Sequence, residues 1–153
     1  LMLWYGVPEL TVWNRWIMGF ENDSQINCVT SANKSIHHIN PVAEPGTGTE
    51  GVVIPFSDNK VIVVESRRRT GYDVMLGKES EGALVYAVDT SKSGNGGSGP
   101  FKALGPKRMK SGQWINFDAP LKAGETLTFE GWKITNLESG KFGDVVAIEK
   151  VAK

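Results

Sequence analysis

Apolar residues recur at helical spacing over the first twenty positions and afterwards in short runs cut by turn residues. Trp13, Trp16, Ile17 and Phe20 fall at i, i+3, i+4 and i+7, which puts three aromatics and an isoleucine on one helix face. Thr11 is placed to cap the start, Gly19 lies near the end, and Pro8 sits upstream, where it is tolerated. A helix this short is expected to pack its aromatic face on something large.

After Phe20 the pattern changes to strands and turns. Strands are predicted at Ile26–Thr30, Ser35–Ile39, Gly51–Phe56, Lys60–Ser66, Gly82–Asp89, Gln113–Phe117, Glu125–Glu130, Trp132–Glu138 and Val145–Val151. Strands this short and closely spaced imply a sandwich or barrel. Val61-Ile62-Val63-Val64 and Ala83-Leu84-Val85-Tyr86-Ala87-Val88 are nearly continuous apolar runs, expected to be central strands covered on both faces. Thr126 to Thr135 alternates polar and apolar around Glu130-Gly131, the pattern of a hairpin with one wet face. Residues 91–100 are too polar and glycine-rich to pack and are expected to form a flexible loop. The expected fold is therefore mainly β: an antiparallel, jelly-roll-like β-sandwich with one short N-terminal helix. Residues 1–25 form an aromatic helical segment and 26–153 the sandwich domain.

Composition narrows the function classes. The chain has 153 residues, with 17 Lys and Arg against 17 Asp and Glu. That length can bury roughly 68–70% of its unfolded surface without a disulfide or metal. A net charge of zero argues against a general nucleic-acid binder, and Arg67-Arg68-Arg69 is only a local exception. No apolar run approaches the roughly 20 residues of a membrane span. The start at Leu1, directly before Trp4-Tyr5-Gly6, reads as a cut from a longer precursor. Cys28 is the only cysteine, which rules out an intrachain disulfide, and it is expected to be a small buried side chain.

Few residues suggest chemistry. No HExxH, G-x-S-x-G, P-loop or dinucleotide glycine pattern occurs. His37 and His38 are strand neighbours on opposite faces, so they cannot chelate one metal; one is expected buried and hydrogen-bonded, the other in solvent. Glu65 and Arg67 share a strand face, and Asp73 and Asp89 end the next segments. Such carboxylates can bind Ca²⁺ or act as acid and base, but an ion-pair network with Arg67 or Arg69 is the preferred reading. Asp89-Thr90-Ser91-Lys92-Ser93 is only faintly like a calcium loop. The chain itself calls for no cofactor, and the identity of any metal is left open. Trp114 and Trp132 are the candidates for a sugar-stacking platform.

Val63-Val64-Glu65-Ser66-Arg67-Arg68, Gly71-Tyr72-Asp73 and Glu81-Gly82-Ala83-Leu84-Val85-Tyr86-Ala87-Val88-Asp89 form a series. It resembles the E-x-R, G-[FY]-D and G-x-L-[VI]-Y-x-V-D series of secreted zinc metalloproteases of the immune-inhibitor-A type. Trp13-Asn14-Arg15-Trp16-Ile17-Met18-Gly19-Phe20 resembles the tryptophan-bearing helix that follows their zinc site, so the resemblance covers roughly residues 4–90. Ala123-Gly124-Glu125 and the hairpin at Ser139–Val146 fit the β-rich tail of that family less specifically. Nothing here matches the zinc histidines or the catalytic glutamate, so no catalytic residue carries over; Glu65, Arg67, Asp73 and Asp89 match the motifs in structural roles.

The resemblance implies a non-catalytic β-sandwich region of an extracellular metalloprotease-like protein. It would support the protease domain or bind substrate or cell surface, with Trp4, Trp13 and Trp16 facing the absent catalytic domain or another chain. The rivals are an independent carbohydrate-binding module, which would bind a glycan, and a structural self-assembling β-protein.

Overall fold

The computed structural model describes residues 8–44, 46–93, 99–106 and 118–151. One helix, α1 (Val12–Ile17), precedes nine strands: β1 (Ile26–Cys28), β2 (Ser35–Ile39), β3 (Gly51–Ser57), β4 (Lys60–Arg67), β5 (Gly82–Asp89), β6 (Phe101–Leu104), β7 (Thr126–Phe129), β8 (Trp132–Gly140) and β9 (Gly143–Lys150). They form two sheets, ordered β1-β3-β4-β5-β6 and β2-β9-β8-β7. All strand pairs are antiparallel except β1 with β3, which run parallel. The runs β3 to β6 and β7 to β9 are meanders, an adjacency that carries a two-sheet sandwich without defining a jelly roll.

Both apolar runs are covered on both faces, and two separate cores explain why. Val52, Ile54, Ile62, Val64, Ala83 and Val85 meet Ile39, Trp132, Ile134, Val146 and Ile148 of the second sheet. The opposite face of the same strands, with Val53, Val63, Tyr86 and Val88, packs against Val12 and Ile26, with Trp13 and Trp16 alongside. Alternation along β4 therefore never reaches water until its first residues.

The helix differs in detail from its predicted stripe. Thr11 Oγ1 accepts from the Asn14 amide, as the cap position requires. The fully buried anchor, however, is Val12; Ile17 is 64% and Phe20 61% exposed. The helix ends at Ile17, and Gly19 turns the chain at φ 80°, so Phe20 never joins the helical face. Contacts also cross the expected boundary at residue 25, since Val12 and Ile26 share one cluster with Val63 and Tyr86.

β6 was not among the predicted strands: four residues at a sheet edge, beside a glycine-rich tract, give too short a run to register. The predicted strand Gln113–Phe117 lies outside the described residues, as does the middle of the 91–100 loop. Cys28 is exposed rather than buried, because it ends a three-residue edge strand that has a neighbour on one side only. The hairpin expected at Thr126–Thr135 is present, with Phe129 opposite Trp132 and Glu130 and Gly131 both at positive φ in its two-residue turn.

Candidate binding cleft

The sequence-predicted charged residues separate into two places. Glu65, Arg67 and Asp73 come together at one end of β4. Arg67 Nε donates to Glu65 Oε1 at 2.7 Å and its Nη1 to Asp73 Oδ2 at 2.9 Å. The other Glu65 oxygen accepts from the Val12 amide at 2.7 Å and the Tyr86 hydroxyl at 2.8 Å. Asp73 Oδ1 accepts from the Glu9 amide at 2.8 Å, and Arg67 also donates to the Glu9 and Leu10 carbonyls. Glu65 and Asp73 are completely buried. Burial first, then the Glu65 carboxylate, hold the Tyr86 hydroxyl well above its ordinary pKa, so it stays a donor. Every oxygen of both acids is engaged, so the group works as a clamp on the segment leading into α1.

Asp89 lies at the opposite end of β4, opposite Lys60. Its oxygens accept from the Ser91 hydroxyl and amide and pair with Lys60 at 3.8 Å and Lys92 at 4.0 Å. The Ser91 hydroxyl is the main cause holding the Asp89 carboxyl below its ordinary value. Among the described residues, no group of three or more His, Cys, Asp and Glu side chains is arranged to hold a metal ion.

The tryptophan candidates fare differently. Trp132 is 4% exposed in the main core, with Lys150 Nζ 5.6 Å from its ring centroid, so its face is closed to a sugar ring. It sits on the inward side of β8, where alternation places core residues. Trp114 lies outside the described residues, and so does Trp4. Trp13 and Trp16 pack edge to face, 5.7 Å apart, partly buried on the outer core. His37 and His38 do point to opposite sides. His37 is half-buried between Asn27 and Ser35 and is held below its ordinary pKa by burial; His38 is exposed and bonds the Phe142 carbonyl.

Arg68, next in the arginine triplet, serves the other sheet. Asp144, fully buried at the start of β9, accepts from Arg68 Nη2 and Ser139 Oγ at 2.5 Å, Asn136 Nδ2 at 2.8 Å and Ser66 Oγ at 2.6 Å. Alternation along β8 puts Asn136 on the same inward face as Trp132 and Ile134, from which it reaches Asp144, and a register shift follows it, before Glu138. Gly143, at φ 113°, is required beside it, because a Cβ there would strike the Ile39 carbonyl oxygen.

Above this network opens a cleft of about 990 Å³, lined by the loop after β4, the turn before β5, Lys122 and Ala123, and the β8–β9 hairpin. Lys122 Nζ donates to the carbonyls of Lys78, Glu79 and Glu81 and so ties two of these segments together. Glu81 Oε1 accepts from the Arg69 amide and Glu44 from the Thr70 hydroxyl. The side chains of Arg69, Lys78 and Lys141 line the cleft without an ion pair among the described residues. Sequence reasoning missed these cations because Lys141, far along the chain, joins Arg69 and Lys78 only around the folded cleft; the arginine triplet was their one local sign.

A fourth fully buried acid stands apart from both groups. Glu50, fully buried ahead of β3, accepts from the Gly46 amide at 3.0 Å and Gln25 Nε2 at 3.2 Å through one oxygen, while the other has no partner among the described residues. Burial, with a smaller push from the Glu21 carboxylate, raises its pKa from 4.5 to about 7; the Gly46 amide and Arg15, itself paired with Glu21, pull the other way. Between these values the folded chain keeps a proton that the unfolded chain has lost. Stability should therefore fall by about 3 kcal/mol as pH rises through the window, with the loss complete above pH 7. Urea denaturation of the Glu50→Gln variant at stepped pH is expected to show that slope removed.

Comparison with known proteins gives no match: no family model, curated protein or solved structure corresponds to the chain. No helix among the described residues is long and apolar enough to cross a membrane.

Proposed function

We propose that the chain is a non-catalytic β-sandwich region of an extracellular metalloprotease-like protein, and that it acts by docking on a protein surface at the end of α1. The observation that carries this reading is the exposure of three large apolar side chains in one short stretch: Ile17 at 64%, Met18 at 59% and Phe20 at 61%. They stand at the end of a helix whose other side is anchored by the fully buried Val12. Apolar groups that protrude from an anchored element are suited to a protein partner. Trp13 and Trp16 turn partly inward, so the contact assigned to them passes to Ile17, Met18 and Phe20. The partner is the protease domain that the motif series at Val63–Asp89 implies. The engagement of Glu65 and Asp73 by Arg67 and backbone amides further supports a supporting role over acid–base work.

The test begins with the reading frame next to this chain. An HExxH helix there, expressed as a separate domain, is expected to bind the chain, and Ile17→Asp with Phe20→Asp to weaken binding tenfold or more, since burying each side chain is worth about 1.5–3 kcal/mol. A reading frame without such a helix, unchanged affinity in the double variant, or chelator-sensitive casein cleavage by the chain alone overturns the proposal.

A further inference from the structure

We propose that the cleft between the loop after β4 and the β8–β9 hairpin binds a weakly acidic saccharide, of the uronic-acid kind. Its carboxylate is held by Arg69, Lys78 and Lys141, and its hydroxyls by Glu44 and Glu79. This site does not depend on the docking face at α1.

Charge sets the acidity of the ligand. Five cationic side chains line the cleft against three lining carboxylates and the buried Asp144, which leaves a surplus of one positive charge. A polysulfated or polyphosphate chain would bring several negative charges against Glu44, Glu79 and Glu81, and such like-charge pairing is unfavourable. A ligand with one carboxylate across a few rings matches the surplus.

The lining sets the rest of its chemistry. Ala123 is the one wholly apolar side chain lining the cleft among the described residues. No aromatic ring among the described lining residues offers a stacking face. Carboxylate oxygens accept from hydroxyls, and lysine and arginine donate to carboxylates and ring oxygens, so a hydroxyl-rich acid satisfies both kinds of group at once. A volume of about 990 Å³ lies at the upper end of ordinary ligand sites, roughly 300–1,000 Å³, with room for more than one ring.

The floor is built rather than incidental. Arg68, which lines the cleft, is 8% exposed and held in place by Asp144 and the Gly143 carbonyl. The walls are also stiff. Gly71 and Gly82, both at positive φ, bring the loop after β4 and the start of β5 against the carbonyls of Ala43 and Leu121, so the cations arrive on braced segments and need little ordering on binding.

Calorimetric titration of the whole chain with trigalacturonic acid, its fully methyl-esterified form and a sulfated heparin tetrasaccharide tests the assignment. The acid is expected to bind, with esterification weakening it about tenfold through loss of the charged acceptor. Arg69→Ala with Lys141→Ala should weaken the acid about tenfold while leaving the thermal midpoint unchanged, since both side chains are exposed. Glu44→Gln should not weaken it, because an amide oxygen still accepts from hydroxyls. The proposal is overturned if trigalacturonate does not bind, if the ester binds as well as the acid, if the double variant binds normally, or if the sulfated tetrasaccharide binds more tightly.

Discussion

Replacing Arg67 by methionine is expected to cost about 5 kcal/mol or more at neutral pH. The substitution strands two carboxylates, Glu65 and Asp73, that are both completely buried. Removing one partner from a single buried pair costs about 3–5 kcal/mol, and here one cation serves two acids. It also supports the Glu9 and Leu10 carbonyls, which lose their donor. Total stability for a domain is about 5–15 kcal/mol, so the loss takes a large share of it. Equilibrium urea denaturation measures the change, and a cost below about 2 kcal/mol would refute the clamp. Combining Arg67→Met with Glu65→Leu and Asp73→Leu should recover much of the loss, because removing all three charges leaves none uncompensated.

Asp144→Ala is the second large case, at about 3–5 kcal/mol. Four side chains from β4, the residue after it and β8 converge on this carboxylate. Without it, the Arg68 guanidinium becomes a buried charge with only the Gly143 carbonyl for support. Asp144→Asn keeps one acceptor oxygen and should cost less. Thermal unfolding of the two variants side by side would check the order, and equal destabilisation would show that the charge of the side chain matters more than its volume.

These two hubs mark where the sequence could be read and where it could not. Period-two alternation and unbroken apolar runs located eight of the nine observed strands, because burial on one or both faces writes itself directly into local order. The pairing of Glu65 with Arg67 was legible for the same reason, since residues two apart on a strand share a face. The role of Asp144 was not. It stands in a hairpin of ordinary composition and acquires its donors from residues up to 78 positions away. The cleft was equally hidden, because Lys141 in the hairpin of the second sheet comes to line one space with Arg69 and Lys78, between strands of the first, only in the folded chain. The helical stripe misled at Phe20, where Gly19 ends the helix before the period completes. Trp132 as a sugar platform failed because alternation identifies a face without saying which face is covered.

The clamp at Arg67 has a mechanical consequence. A pull applied to the chain at Glu9 is not taken up by an edge strand that could peel away one hydrogen bond at a time. It passes through the Glu9 amide and carbonyl to Asp73 and Arg67, and from there into β4, which has strands on both sides. Force entering at a central strand must shear several ladders together. Force arriving at Glu9 is therefore delivered to the middle of the sheet and shared among its ladders.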